Sequence, residues 1–93
     1  MRKRARIDQN HAEIVDALRK VGCSVLSLAP MGDGCPDLLV GRRGVNYLLE
    51  VKDGSLPLSR RLLTIDEKIF AVNWHGMPVI IVNNVSEALA AVR

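Results

Sequence analysis

Residues 34–52 have the sequence GCPDLLVGRRGVNYLLEVK. Its apolar runs predict two strands, at residues 37–40 and 45–52, and the turn formers of residues 41–44 join them into a hairpin. Apolar side chains fall on both faces of each strand, which is the pattern of strands buried on both sides of a sheet. Pro36 biases the residue before it toward extended backbone, so the preceding loop is expected to lead straight into the first strand.

The segments on either side of this hairpin add a helix and a strand before it, and a helix, a strand and a helix after it. The hydrophobic pattern places them at residues 8–21, 23–28, 64–75, 79–82 and 86–92. The order αβββαβα predicts an α/β fold in which helices flank a mixed sheet. We expect the strand at 79–82 to be fully buried, Phe70 and Trp74 to be core residues of the second helix, and Ser86 to cap the last helix.

Two short patterns predict where the first two helices begin. Asn10 with Glu13, and Thr64 with Glu67, have the spacing of a capping box, although Asp8 competes with Asn10 for the first cap. Glu13 falls on the border between the apolar stripe and the polar face of its helix, so its position alone leaves its role open.

The composition indicates one globular domain with a basic arm. The 93 residues are 48% hydrophobic and 25% charged, which excludes the collagen-like and disordered classes. No apolar run reaches the roughly 18–20 residues that span a bilayer. Four of the thirteen basic residues lie in residues 1–7, so the prediction is a basic N-terminal arm followed by a near-neutral domain at residues 8–93. The two cysteines have no CxxC spacing and form no disulfide framework, which favours a cytoplasmic protein.

Two carboxylates and a lysine are expected to meet on one face of the hairpin. A turn centred between Arg43 and Gly44 places Asp37 directly across from Glu50, with Cβ atoms about 4.5–5.5 Å apart. Lys52 lies two residues beyond Glu50 and therefore shares its face. Close carboxylates in an apolar sheet are costly unless a metal ion or a partner compensates them. The spacing alone equally supports an alternative, in which these three residues lie on a solvated rim of the sheet.

Hard oxygen ligands in this number suit Mg²⁺ or Mn²⁺, with water and a substrate phosphate completing the coordination shell. A bound ion would lower the pKa of a coordinated water and neutralise charge that develops on a phosphate. Lys52 would then orient or deprotonate the attacking water, or stabilise the transition state. The chain offers no zinc-ligand spacing around His11 or His75 and no phosphate-binding loop with a Lys-Ser/Thr pair, so other chemistries have little support.

In this order, Gly34-Cys35-Pro36-Asp37 and Glu50-Val51-Lys52 resemble the signature of the PD-(D/E)xK nucleases. The wider pattern is similar to the VRR-NUC family within that superfamily, especially its small stand-alone members from phages and prophages. The similarity extends from Glu13 through Leu63-Thr64 to the closing strand and helix, so it covers nearly the whole chain. It implies a restriction-endonuclease-like core and a metal-dependent endonuclease that cuts phosphodiester bonds.

The resemblance also implies roles for individual residues. Asp37, Glu50 and the carbonyl group of Val51 would be metal ligands, and Lys52 would be the catalytic lysine. Glu13 matches the acidic residue of the family's first helix, which would bind the metal directly or through water.

Several basic residues are expected to contact DNA phosphates. Lys68 lies in the second helix, at a position where members of the similar family often carry Gln. The resemblance therefore leaves its role open, and contact with DNA is one alternative. Arg42 and Arg43 lie at the hairpin tip, about 20 Å from Asp37, within reach of flanking duplex rather than the scissile phosphate. A solvated hairpin tip has equal support. The candidates for DNA binding are Lys3, Arg4, Arg42, Arg43, Arg60, Arg61 and Lys68.

Together these observations predict a cytoplasmic (host-cytoplasmic if viral), Mg²⁺-dependent DNA endonuclease, with four-way junctions as the leading substrate. One alternative is a non-catalytic DNA-binding or complex-forming module that keeps the nuclease fold. Another is a sequence-specific restriction-like nuclease, although 93 residues leave little chain for a recognition element. A four-way junction has two scissile positions related by a twofold axis, whereas one domain of this size offers one metal site. The working unit is therefore predicted to be a homodimer, whose interface the sequence does not locate.

Overall fold

The computed structural model describes residues 9–93 and has an α/β architecture with the predicted order αβββαβα. The helices are α1 (His11–Lys20), α2 (Ile65–Asn73) and α3 (Val85–Ala91). The strands are β1 (Ser24–Ser27), β2 (Leu38–Arg42), β3 (Val45–Val51) and β4 (Ile80–Val82). Short 3₁₀ turns at Ala29–Met31 and Leu58–Arg60 precede β2 and α2. The predicted N-terminal arm lies outside the described residues, and no helix within residues 9–93 is long and apolar enough to cross a membrane.

The four strands form one mixed sheet in the order β1-β2-β3-β4. The first three strands are antiparallel neighbours, and β4 runs parallel to β3. Leu38 pairs with Leu49, which confirms the predicted hairpin register. Arg43 and Gly44 have φ values of 52° and 80°, as in the two-residue turns whose twist matches that of the flanking strands.

The core lies on one face of the sheet. Leu38 of β2 and its partner Leu49 on β3 point to this face, where α1 and α3 pack. Ile14 and Leu18, one helical turn apart on α1, are fully buried against it. The cluster also contains Cys23, Val40, Val51, Val82, Ala88 and Val92.

The opposite face of the sheet is only partly covered. Leu26 and Ile81 are exposed on it, so the prediction of a fully buried strand at residues 79–82 is wrong. The second helix also differs from expectation, since α2 has no buried residue. Phe70 and Trp74 stack on each other, with ring centroids 5.3 Å apart, rather than joining the core. Both helices that cover the core, α1 and α3, pack on the first face.

The beginning of α1 is fixed by a long-range contact rather than by a cap. Asn10 makes no side-chain cap, so the expected capping box with Glu13 is absent. Instead, the Asn10 amide Nδ2 donates hydrogen bonds of 3.0 Å to the carbonyl oxygens of Lys52 and Asn83. These bonds tie the start of α1 to the ends of β3 and β4.

The caps of the other two helices are made by side chains. Thr64 and Glu67 form the predicted capping box at α2. The cap of α3 is Asn84, whose side chain accepts a 2.8 Å hydrogen bond from the Glu87 N–H, so the assignment of Ser86 is wrong by two residues. A β4 strand that ends at Val82 leaves Asn84 in the extended backbone that a cap requires.

Candidate active site

Two buried carboxyl groups meet where β2 begins and β3 ends. Asp37 and Glu50 are 6% and 4% exposed, and they are the buried charged residues of the described chain. They lie one position beyond the Leu38–Leu49 pair, so the register sets them opposite each other. Their side chains are close enough to interact directly. The predicted carboxylate pair is therefore present and buried.

The backbone next to this pair explains why a proline precedes Asp37. By register, Pro36 stands opposite Val51, and a proline has no N–H to offer to the Val51 carbonyl. The Val51 N–H, which points to the same side as that carbonyl, donates a 2.7 Å hydrogen bond to Asp37 Oδ2. Asp37 is thereby held in place, and the Val51 carbonyl oxygen faces a position without a backbone donor.

Burial of the pair changes its protonation. Burial, the hydrogen bond with Asp37 and the negative charges of Asp37 and Glu67 raise the pKa of Glu50 to about 10, against the opposing effect of Lys52. The same surroundings act on the neighbouring thiol, since burial and the charges of Glu50 and Asp37 raise the pKa of Cys35. Without a bound metal ion, the Glu50 carboxyl group therefore holds a proton at neutral pH.

Lys52 lies beside the pair, as its spacing from Glu50 predicted. Its Nζ is 3.9 Å from Glu50 Oε2 and 2.9 Å from Glu67 Oε1. The side chain is largely buried, so its charge acts in a low-dielectric setting where electrostatic interactions are strong. The structure thus brings Asp37, Glu50 and Lys52 together.

Glu67 is a site residue that the sequence reasoning missed. Its Oε1 accepts hydrogen bonds from the Thr64 N–H at 2.8 Å and from Lys52 Nζ at 2.9 Å, so one carboxylate both caps α2 and holds the lysine. Burial by itself would raise the pKa of Glu67, but the hydrogen bonds from Lys52 and Thr64 hold it below its ordinary value. The available signal was its capping-box position at the start of the helix that follows Lys52.

A glycine in the loop before Asp37 lets α2 approach the site. Gly34 has φ +80°, and a Cβ built on it would lie 2.3 Å from the Asp66 carbonyl oxygen. The loop that leads into β2 and the first turn of α2 are therefore in direct backbone contact, and only glycine fits there. This contact brings Glu67 close to Lys52 and Glu50.

Glu13 is the third acid expected at the site, where it would bind the metal directly or through water. It lies in the first turn of α1, whose start is tied to Lys52 through Asn10, but its side chain is exposed. Residues 9–93 contain no group of three or more His, Cys, Asp or Glu side chains placed to hold a metal ion. Glu13 therefore does not complete a three-acid cluster with Asp37 and Glu50.

Some of the predicted DNA-binding side chains are exposed, and others donate hydrogen bonds to backbone carbonyl groups of the protein. Arg42 Nη1 donates to the Val21 carbonyl at 2.7 Å, and Arg61 Nε donates to the Leu56 carbonyl at 2.7 Å. The remaining candidates among residues 9–93 are exposed, namely Arg43 at the hairpin tip, Arg60 before α2 and Lys68 on α2. Lys3 and Arg4 lie outside the described residues.

The donor set fits a small, hard divalent cation. Mg²⁺ is commonly bound by one or two carboxylates, with waters and substrate oxygens completing its octahedron. Asp37 and Glu50 supply the carboxylates, and the Val51 carbonyl lies on the same side of β3 as the Asp37 contact. Two buried acids that oppose each other are the arrangement whose mutual repulsion binding of such an ion would relieve.

Comparisons with family models, with curated proteins and with solved structures gave no match for this chain. The chemistry of the site is therefore inferred from its own residues. A buried acid pair beside a lysine combines oxygen ligands for a metal ion with a fixed positive charge. Both groups can assist displacement reactions at a phosphate.

Proposed function

We propose that this protein is a metal-dependent DNA endonuclease of the PD-(D/E)xK type, similar to the stand-alone VRR-NUC nucleases. The observation that carries the proposal is the opposed pair of buried carboxyl groups, Asp37 and Glu50, with Lys52 Nζ 3.9 Å from Glu50. Such a cluster weakens an apolar sheet, and a functional role explains why it is there.

Each residue of the candidate site has its own role in the proposed reaction. Asp37, Glu50 and the Val51 carbonyl would hold Mg²⁺ or Mn²⁺, which supplies charge neutralisation and an activated water. Lys52 orients the phosphate and stabilises the negative charge that develops on it in the transition state. Glu67 fixes Lys52 through its 2.9 Å contact, so the ammonium group is in position before substrate arrives. Glu13 on α1 would act at most through water, given its exposed side chain.

DNA is the proposed substrate because basic side chains are exposed on a near-neutral domain. Arg43, Arg60 and Lys68 are exposed among the described residues, and four further basic residues lie in residues 1–7. Such charges give phosphate contacts that do not depend on sequence, as expected of an enzyme that recognises the shape of DNA. Branched DNA, with the four-way junction first, is therefore the proposed target. We place the reaction in a reducing cytoplasm, where the free thiols of Cys23 and Cys35 remain reduced.

The test is a cleavage panel. Labelled linear duplex, flap, bubble and four-way junction DNA are incubated with the purified protein and Mg²⁺ or Mn²⁺. The expected result is metal-dependent cleavage, fastest on the junction. The control is Glu50→Gln, which keeps the shape of the protonated side chain, loses the ligand and should be inactive. Binding of DNA without cleavage in either metal would instead support the non-catalytic DNA-binding module.

A further inference from the structure

A polar pocket lies at the end of the sheet where β1 begins and the β2–β3 hairpin turns. We call it the hairpin pocket; it has a volume of about 330 Å³ and is lined by Gly22, Ser24 and residues 41–46. Most of its exposed lining is polar, whereas small-molecule sites of this volume are lined mainly by apolar and aromatic side chains. The hairpin pocket therefore suits a charged group rather than an apolar ligand.

A glycine lies between two polar side chains in this pocket. The register pairs Gly41 with Ser24 on β1 and with Asn46 on β3, so the three residues form one row across the sheet. A Cβ built on Gly41 would lie 3.7 Å from Ser24 Cβ and 3.6 Å from Asn46 Oδ1. The hydroxyl and amide groups therefore lie on either side of a residue without a side chain, and each can donate a hydrogen bond.

The charge of the hairpin pocket is positive. Arg42 and Arg43 belong to its lining, and none of the described lining residues is acidic. Arg42 Nη1 donates a 2.7 Å hydrogen bond to the Val21 carbonyl, and its Nε is buried without a hydrogen-bond partner in the described part of the chain. The last turn of α1, next to Val21, adds the exposed side chains of Arg19 and Lys20. A surface of this sign favours an anionic ligand.

Arg43 has a backbone conformation that is unusual for an arginine. It is the first residue of the two-residue turn and has φ 52°. Glycine, asparagine and aspartate are the residues that normally take such a position. Backbone strain of this kind is concentrated at functional sites. Because the Arg43 side chain is exposed and lines the pocket, the strained position indicates a role for its charge.

We propose that the hairpin pocket binds a phosphate group of the DNA backbone. The identity of the ligand rests on the proposed function, whereas the pocket is defined by its own charge and shape. Arginine, hydroxyl and amide groups are all common donors to DNA phosphate oxygens. Gly41 lies four residues from Asp37 along β2, on the same face of the sheet and about 13 Å away. About four nucleotides of one strand, at 3.4 Å each, span this distance.

The hairpin pocket would position the DNA for the candidate site. Contacts to phosphates fix the register and orientation of a protein on the duplex, but they carry no sequence information directly. A phosphate held at Gly41 places another phosphate, a few nucleotides away, near the pair of Asp37 and Glu50. The pocket therefore supports recognition of DNA shape rather than of a base sequence.

The first measurement uses inorganic phosphate as the probe and requires neither DNA nor cleavage. Titration of the ¹⁵N-labelled full chain should give saturable amide shifts at Gly41, Gly44 and Asn46 with phosphate, and none with chloride at the same ionic strength. Asn46→Asp keeps the side-chain shape, adds a negative charge and should weaken phosphate binding at least about tenfold. The matched control, Asn73→Asp at the exposed end of α2, should bind phosphate as the wild type does. Absence of saturable shifts in the wild type would overturn the proposal.

The second measurement asks whether the bound phosphate belongs to DNA. Fluorescence anisotropy measures binding of a labelled four-way junction at several salt concentrations without divalent metal, so that no cleavage is involved. Arg43→Asn places a residue suited to the turn, so it should fold with an unchanged or higher Tm. It should also lose a phosphate contact, which lowers the slope of log K against log salt concentration by about 0.9. Arg93→Asn removes the same charge at the exposed last residue and should leave the slope unchanged.

The outcomes separate the pocket from the nuclease activity. An unchanged slope in Arg43→Asn would overturn the assignment to DNA, and phosphate binding would then mark a site for the free anion. A protein that binds junctions through the pocket, yet cuts none of them in Mg²⁺ or Mn²⁺, would support the pocket while the proposed catalysis failed.

Discussion

Asp37 and Glu50 face each other across β2 and β3, one residue beyond the Leu38–Leu49 pair, with both side chains buried. The pairing follows from a two-residue turn at Arg43–Gly44, which fixes which residues oppose each other. A turn longer by one residue would send one of the two carboxyl groups to the core face. The chemistry of the site thus depends on the geometry of a turn at the far end of the hairpin.

The first prediction concerns pH and stability without metal. The pKa of Glu50 rises from its ordinary 4.5 to about 10 in the folded protein, so the folded state holds a proton that the unfolded state releases. This stabilisation is fully present below pH 4.5 and is lost as the pH rises toward 10. In chelator-treated protein, the urea midpoint should therefore fall steadily from mildly acidic to alkaline pH.

Glu50→Gln is the control for this titration, because glutamine has no proton to lose. It should flatten the pH dependence and stabilise the metal-free protein at alkaline pH by about 1 kcal/mol or more, which is a rise of about 4–8 °C in Tm. A wild-type urea midpoint that rises with pH over the same range would show that Glu50 does not retain its proton in the fold.

The second prediction concerns metal binding. An ion that binds the folded state only stabilises it by mass action, by about 2.7 kcal/mol at one hundred times its Kd. Millimolar Mn²⁺ should therefore raise the Tm of the wild-type protein, and much less that of Asp37→Ala. Binding of the metal ion must displace the Glu50 proton. The rise in Tm should therefore be larger at about pH 8 than at about pH 6. Equal shifts in the wild type and in Asp37→Ala would place the ion elsewhere.

The third prediction isolates the contact between the loop and α2. Gly34 and Gly44 both have φ +80°, but a Cβ at Gly34 would meet the Asp66 carbonyl at 2.3 Å whereas one at Gly44 would meet nothing within 4 Å. Gly44→Ala should cost about 1–2 kcal/mol from backbone strain alone. Gly34→Ala should cost a further 1–3 kcal/mol, roughly the cost of overpacking.

Thermal unfolding of both variants measures this difference. If Gly34→Ala and Gly44→Ala lower the stability by the same amount, the first turn of α2 is not in backbone contact with the loop at Gly34. Hydrogen exchange gives a second measurement, since α2 amides should lose protection in Gly34→Ala and keep it in Gly44→Ala.

The hairpin and the site on it could be predicted because they depend on local rules. The turn formers at residues 41–44 fixed the register, and period-2 alternation then placed Asp37, Glu50 and Lys52 on one face. The order of elements followed from hydrophobic periodicity in the same way. These features need no knowledge of what the rest of the chain does.

The features that the sequence did not reveal depend on contacts between distant segments. Asn10 has the spacing of a cap, but its amide bonds the carbonyls of Lys52 and Asn83, which are 42 and 73 residues away. Glu67 has the same capping spacing, and only the fold shows that its oxygen also reaches Lys52. The apolar residues of α2 have a helical period, but the period does not say whether the stripe faces the core or a partner.

The most direct test of the central claim is single-turnover cleavage of a four-way junction in Mg²⁺ by the wild type, Lys52→Ala and Glu50→Ala. Asn73→Asp serves as a control for an unrelated surface change. If the buried pair and Lys52 perform the reaction, the wild type and Asn73→Asp should cut, and the two site variants should lose at least about 10²–10³ in rate while remaining folded and bound to DNA. Cleavage at the wild-type rate by both folded site variants would contradict the account.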